Sequence, residues 1–441
     1  MTYFDKLSRM KTKYSFPGSV PVRLGSVPVL ALMIALGVCP RVFASGFGLY
    51  EASAKTYAMG GAVLGKAADA SANFHNPATL TDFTNIAVTV GFMTEHPRAR
   101  MKVTRDGTTY PSSPMNSGCY VLPHFHLVAP LPWDLAFGLG IMPEYGLGSE
   151  YDDSWRLNYG STDTQVQSFT VNPNLAWKAT DKLSVGAGLR FLYWDFEQYS
   201  RPYSYSPYYN VGNRLKGDNR MKDFGYQIGL KYDFTDDFSM GLTYKSPTVC
   251  HVEGKSQTGG YVASPAGVVS AASYKDAEAV LEMPQSVTGG FNWDITEDWH
   301  LGGIVSWTQW SVIDQVHFNF VDVSTGVASS ELCRFNWKDT WRFGLAPSWD
   351  FADGWTWIAS YVFETDCAGD QYSTMLPPSE RHMLSTGLCW SPYDWMEIAL
   401  TYGMIIMDGK ESHVKWDRPG DTYQAYRGIS HAAGLSVTFR F

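Results

Sequence analysis

From Ile86 onward, apolar and polar residues alternate with a period of two, the repeat of an extended strand whose successive side chains point to opposite faces. Phe224, Tyr226, Ile228, Leu230, Tyr232 and Phe234 make one apolar face, set against Gly225, Gln227, Gly229, Lys231 and Asp233. Leu135, Phe137, Leu139 and Ile141 repeat the pattern, as do Trp341, Phe343, Leu345, Trp349 and Phe351 opposite Arg342, Gly344 and Asp350. The last strand ends in the same way, with Leu435, Val437, Phe439 and Phe441 on one side and Gly434, Ser436, Thr438 and Arg440 on the other. Short polar turns punctuate the pattern at 130–134, 179–182, 235–237, 296–298, 352–354 and 392–394. These turns join strands of about ten residues in pairs and leave one strand over at each end, which predicts about 14 strands. Longer connections are predicted near 96–117, 144–164, 198–221, 251–277, 321–335, 368–379 and 409–429. Alternation alone fits a soluble sandwich and a membrane barrel equally, because the two differ only in which face is wet.

Tryptophan placement separates them. Trp133, Trp177, Trp293, Trp299, Trp349, Trp355, Trp390 and Trp395 all lie within a few residues of a predicted short turn, as rings gathered at one membrane interface would. At the start of the chain, Lys6, Arg9, Lys11, Lys13 and Arg23 precede the apolar run from Val29 to Leu36 and the small-residue site Val42, Phe43, Ala44. This reads as a secretory signal over 1–44. Later segments contain no uninterrupted apolar run long enough for a spanning helix, and charged residues are only 17% of the chain. Together these features predict an all-β fold, a transmembrane antiparallel β-barrel of the bacterial outer membrane at 84–441 that ends on the aromatic Phe441.

Removing 1–44 takes away six basic residues and Asp5, leaving 28 basic and 42 acidic residues, a net charge of -14. That sign argues against nucleic acid as a partner, which needs clustered Lys and Arg. Cys119, Cys250, Cys333, Cys367 and Cys389 remain, an odd number without metal-ligand spacing, so no metal and no cofactor are expected. His124 and His126 share a strand face but need a third ligand to hold a metal ion. No Gly-flanked nucleophilic Ser or zincin helix occurs, so catalysis is not expected.

Residues 45–83 do not alternate and are rich in Ala and Gly, which reads as short helices and turns. Within them, Ser45 to Ser53 (SGFGLYEAS), Met59 to Ala62 (MGGA), Asp69 to Ser71 (DAS) and Asn76 to Ala78 (NPA) resemble the opening of the FadL family of outer-membrane transporters for long-chain fatty acids and other hydrophobic compounds. The resemblance continues through Pro143 to Tyr151, Tyr244 to Pro247, Trp307 to Ser311, Lys338 to Arg342 and Leu376 to His382, and so covers nearly the whole mature chain. It implies a barrel with a small helical N-terminal hatch, 45–83, inside the lumen. It also implies passive uptake of a hydrophobic small molecule: capture at outer loops, a pocket beside the hatch, and lateral exit through the barrel wall.

The same resemblance implies Ser45, Gly46 and Phe47 as the mobile gate, and Asn76, Pro77 and Ala78 as the part that fixes the hatch to the wall. A fatty-acid carboxylate in a dry pocket needs a cation, and Lys338, Arg342, Arg190 and Arg381 are the candidates, each equally able to serve as an ordinary lumen ion pair. Arg190 and Arg342 fall on the inward face by alternation. Long-chain fatty acids are the first substrate reading, and Asp195, which stands where fatty-acid members of the family carry a basic residue, keeps a neutral substrate such as an aromatic hydrocarbon or alkane as the alternative. A general porin, an adhesin and an outer-membrane enzyme are the rival readings, and the Gly-rich hatch segment is what an open porin does not need. Expected partners are the ligand, outer-membrane lipid and lipopolysaccharide, and the barrel-assembly machinery.

Overall fold

A computed structural model describes residues 46–105, 107–110, 113–116, 118–152, 163–200, 209–264, 267–270, 273–368, 379–408, 410–413, 421–425 and 428–441. The expected signal segment and Ser45 lie outside them. The described chain is a closed antiparallel barrel of 14 strands. Its strands are β1 (Ala87–Arg98), β2 (Tyr120–Leu131), β3 (Leu135–Met142, resuming as Gly146–Glu150), β4 (Asp163–Lys178), β5 (Leu183–Ser200), β6 (Tyr209–Asp218 and Asp223–Asp233), β7 (Phe238–Lys245 and Thr248–Ser264), β8 (Ser273–Met283 and Ser286–Asp294), β9 (Trp299–Thr308 and Gln315–Asp322), β10 (Ala328–Arg334 and Thr340–Ala352), β11 (Trp355–Glu364), β12 (Arg381–Tyr393), β13 (Met396–Met407) and β14 (Gly428–Arg440). Pairing of β1 with β14, from Ala87↔Arg440 to Arg98↔Ile429, closes the ring.

Each predicted short turn joins two of these strands. The β2–β3 turn reverses at Trp133 and Asp134, both in the left-handed backbone region, which matches the right-handed twist of the flanking strands. The tryptophans stack across strands just above the turns. Trp299 lies opposite Trp349 with ring centroids 5.3 Å apart, and Trp355 opposite Trp390 at 5.4 Å. Phe441 continues this girdle through Phe439 and Trp395. The apolar side of β6, Phe224 to Phe234, is exposed around the outside, as lipid contact requires.

At the opposite end the sequence pattern underestimates the strands. The connection expected at 251–277 is largely an antiparallel hairpin between β7 and β8, paired from Thr248↔Met283 to Thr258↔Ser273. There the inward face is buried (Cys250, Val252, Ala277, Ala279, Met283) and the outward face carries Glu253, Glu278 and Glu282, so the apolar-out, polar-in alternation that marks the strands below is lost while pairing continues.

Residues 46–83 lie inside the barrel, as helix α1 (Ala54–Ala58), helix α2 (Ala72–His75) and a 3-10 turn, Pro77–Asp82. Ser53 caps α1 by accepting from the Thr56 N–H at 3.1 Å and donates to Asp69 at 2.6 Å. Asn76 caps the 3-10 turn through the Ala78 N–H (3.0 Å) and donates to the carbonyls of Leu64 (2.7 Å) and Leu230 (3.0 Å), so one side chain joins hatch to hatch and hatch to wall. Further ties reach β4 and β6 through Asn73, Asn174 and Gln227, β8 through Asn292, β13 through Lys55 with Glu397 (2.8 Å), and β14 through Ser436.

Two wall positions must be glycine for this contact. A Cβ on Gly241 would collide with the Leu64 carbonyl, and one on Gly229 with the Asn76 side chain. Gly241→Val should therefore lift the hatch from β7 while leaving the lipid face intact. Heat-modifiable electrophoretic mobility, the mark of a folded barrel, should persist, and ion conductance in planar bilayers should rise severalfold over wild type. Conductance equal to wild type would show that the close approach is not what seats the hatch.

Candidate functional site

The site begins at a gap in the wall. β3 breaks at 143–145, where Pro143 has no N–H to give a ladder. Below the break β3 pairs with β2, starting at Phe125↔Ile141; above it, Gly146–Glu150 pairs with β4 alone. The upper end of β2, from Tyr120 to His124, pairs only with β1. Among the described residues no strand pairing joins β2 to β3 at this level, and above it the Asn116 N–H donates to the Glu150 carbonyl at 2.8 Å.

The front of the hatch pairs with the broken edge as a short added strand. The Gly146 N–H donates to the Phe47 carbonyl and the Leu49 N–H to the Glu144 carbonyl, each at 2.8 Å. Gly46 follows with a positive φ, packed so closely on the Trp310 indole that a Cβ would overlap it, and its N–H points to the Cys367 sulfur at 3.1 Å. Phe47 is 3% exposed inside an aromatic cage, with Trp310 (5.0 Å), Trp194 (5.1 Å), Trp337 (5.7 Å) and Tyr145 (6.0 Å) around its ring. Tyr145 stands in the break of β3, Trp310 in the interruption of β9 and Trp337 in that of β10, so three strand breaks build the cage, and the first of them is the one that opens the wall.

This cage separates two cavities of opposite character. The first, with about 570 Å³ of empty space, is walled by Phe47, Val166, Trp194, Phe196, Val252, Leu281, Val316, Phe318 and Phe335, and no charged group lines it. The second, with about 720 Å³, lies on the hatch side of Trp310 and Tyr145 and is lined by Arg190, Lys245 and Arg342 against the single carboxylate of Glu144.

The three cations are not equivalent. Arg190 donates to Glu144 at 2.6 Å and to the Ser246 carbonyl at 3.1 Å, with Thr170 completing the carboxylate's partners. Lys245 lies 3.5 Å from Glu144 and 3.2 Å from the centre of the Phe74 ring. The Arg342 guanidinium stacks 4.0 Å over the Tyr50 ring and, among the described residues, makes no hydrogen bond or ion pair, although it is 6% exposed. Trp310 Nε1, His75 Nε2 and Thr243 Oγ1 are also buried in this lining without a partner. Buried polar groups are costly unless satisfied. This cavity is therefore built around something polar, water or a ligand group.

The structure thus brings Gly46, Phe47, Arg190 and Arg342 together and places Asn76, Pro77 and Ala78 at the seat of the hatch. Arg381 is buried but lies beside Glu364 at 3.7 Å, away from the polar cavity's lining. Lys338 is exposed, because the β10 break turns Trp337 inward and the lysine out. Asp195 belongs on neither cavity wall. Trp194 and Phe196 face in, so Asp195 faces out, 3.8 Å from Lys216, and the argument for a neutral substrate drawn from it falls. His124 contacts Ser436 and His126 contacts the Ala52 carbonyl, each at 2.9 Å, which accounts for the pair as hatch supports. Glu144, Lys245 and Trp310 complete the site without having been singled out from sequence, although each stands inside a segment that resembles the FadL family.

A family model described as outer membrane protein transport protein (OMPP1/FadL/TodX) matches residues 36–441. The long-chain fatty acid transport protein of Escherichia coli O6:H1 is 23% identical over 82% of this chain and 86% of its own. The 47 kDa outer membrane protein of Pasteurella multocida is 24% identical over 94% and 98%. Among solved structures, a Pseudomonas aeruginosa FadL homologue superposes with a TM-score of 0.75 at 18% identity, covering 90% of this chain and 100% of that one. The Pseudomonas putida toluene transporter TodX gives 0.71 at 18%, covering 90% and 99%.

Removing one partner of a buried ion pair leaves an uncompensated charge, at a cost of about 3–5 kcal/mol. Glu144→Ala, which strands both Arg190 and Lys245, should lower the stability of the lipid-reconstituted barrel by about that amount in urea unfolding. A change below about 1 kcal/mol would mean that the pair is solvated rather than buried.

Proposed function

The chain belongs to the OMPP1/FadL/TodX family of outer membrane transport proteins, and from that premise we propose that it takes up long-chain fatty acids. Transport of hydrophobic compounds across the outer membrane is the family's business; the choice of a fatty acid rests on the two adjoining cavities. An apolar cavity suits an alkyl chain, since each buried methylene contributes roughly 0.8 kcal/mol. The polar cavity behind Phe47 holds Arg342, a buried guanidinium with no carboxylate of its own. That single unpaired cation carries the reading, because a fatty carboxylate supplies the missing partner.

In this reading the substrate enters the apolar cavity from the outer side. Movement of the Gly46 to Leu49 segment parts Phe47 from its cage, and the carboxylate reaches Arg342. The same movement uncovers the unpaired stretch between β2 and β3, through which the chain leaves sideways into the membrane. Diffusion down a gradient needs no energy-coupling site. Uptake of a neutral aromatic hydrocarbon is the second reading, supported by the lack of charge in the apolar cavity.

Uptake of oleate and of toluene by cells carrying wild type, Arg342→Gln or Phe47→Ala separates the two. A hydrogen bond to a charged group contributes about 1.5–3 kcal/mol, so Arg342→Gln should raise the half-saturating oleate concentration at least tenfold and leave toluene uptake unchanged. Phe47→Ala should impair both substrates. Equal loss for both substrates in Arg342→Gln, or wild-type uptake of toluene alone, would refute the fatty-acid reading.

A further inference from the structure

The outer wall carries a second set of polar groups that transport does not use. On β12, β14 and β1 the outward side chains run from the aromatic girdle through an apolar stretch and then meet histidine. The step is eight positions each time, from Trp390 to His382, from Phe439 to His431 and from Val88, the partner of Phe439, to His96. At about 3.4 Å per residue and a tilt of 35–45°, eight positions climb roughly 20 Å, near the top of an apolar band about 25 Å tall. The three imidazoles therefore lie where the hydrocarbon of the outer leaflet gives way to its headgroups.

At this level Arg98 is held in a fixed pose. The Gly118 carbonyl accepts from His96 Nδ1 at 3.0 Å, which leaves His96 Nε2 to accept from Arg98 Nε at 3.1 Å. Among the described residues the two terminal guanidinium nitrogens of Arg98 have no partner. His431 lies directly across the ladder from His96, with the Tyr402 hydroxyl 2.8 Å from its Nδ1. His382 repeats the arrangement with Tyr361, also at 2.8 Å. The other side of the barrel differs, because there Arg214 and Lys216 meet Glu197, and Arg220 and Lys222 meet Glu253.

We infer that Arg98, His431 and Tyr402 form a binding site for a phosphate of a phosphorylated glycolipid in the outer leaflet. A guanidinium oriented through its Nε presents both terminal nitrogens, the geometry that holds a phosphate by two parallel hydrogen bonds. The hydrogen-bonded pair of His431 and Tyr402 beside it adds one more donor, the imidazole Nε2–H when the phenol donates to Nδ1 or the phenol O–H when it accepts. The height of the site matches the headgroup layer, and among the described residues no acid pairs with Arg98 as acids do with the cations on the β5 to β7 side.

The test measures binding of bisphosphorylated lipid A, and of the same lipid after enzymatic dephosphorylation, to the full-length protein in detergent. Wild type should bind the phosphorylated lipid at least tenfold more tightly. Arg98→Gln combined with His431→Gln should bring the two lipids within twofold of each other, with heat-modifiable mobility and hydrophobe uptake unchanged, whereas Arg98→Lys should keep part of the preference. Equal binding of both lipids by wild type would overturn the proposal, since a simple interfacial ring of amphipathic aromatics does not need phosphate. An undiminished preference in the double variant would overturn it too.

Discussion

In a bilayer every backbone N–H and C=O must find a partner within the protein, and this requirement organises the molecule. It closes β1 onto β14 and leaves no free edge around most of the ring. It also makes the break at 143–145 expensive, because the upper part of β3 parts from β2 there. The Gly46 to Leu49 segment meets that need with two main-chain hydrogen bonds, so the front of the hatch is held by backbone geometry as much as by the Phe47 ring. Its rear is held differently, by side-chain amides and ion pairs to many strands. The proposed gating uses this division, since the two sets of contacts share no residue.

Burial divides the lumen by the same logic. The apolar cavity needs no polar partners and has almost none, while the polar cavity has gathered cations that burial alone would forbid. Glu144 neutralises Arg190 and part of Lys245. Arg342 is left with the Tyr50 ring, a weak substitute for a carboxylate. The break in β3 thus supplies both the wall gap and, through Glu144, the charge that shapes the cavity behind it.

Much of this was legible in the chain. The short turns could be read because tight reversals demand particular residues, and the girdle because indoles prefer one level of the membrane. Inward placement of Arg190 and Arg342 followed from counting by twos. Counting fails where a strand breaks: Lys338 stands four positions before Arg342 yet faces out, because the β10 interruption resets the parity. The weight given to Asp195 came from the family resemblance instead, and counting by twos would have set it on the outer face with Tyr193, opposite Trp194. The Glu144 to Arg190 contact joins residues far apart in the chain, and no local pattern announces such a pair. The hairpin above the bilayer escaped notice because its outward face has turned polar and its inward face apolar, the reverse of the pattern that lipid imposes below.

The strand-like attachment of the hatch tip has a kinetic consequence. On the proposed uptake route, withdrawal of Gly46 to Leu49 would turn the edge at Tyr145 and Gly146 into a template for any extended backbone nearby, and the segment still tethered beside it would be present at far higher effective concentration than any competitor. Such a gate would be self-resetting: each opening would end by re-zippering, and the dwell time of the open wall would be set by how fast a tethered strand finds its old register.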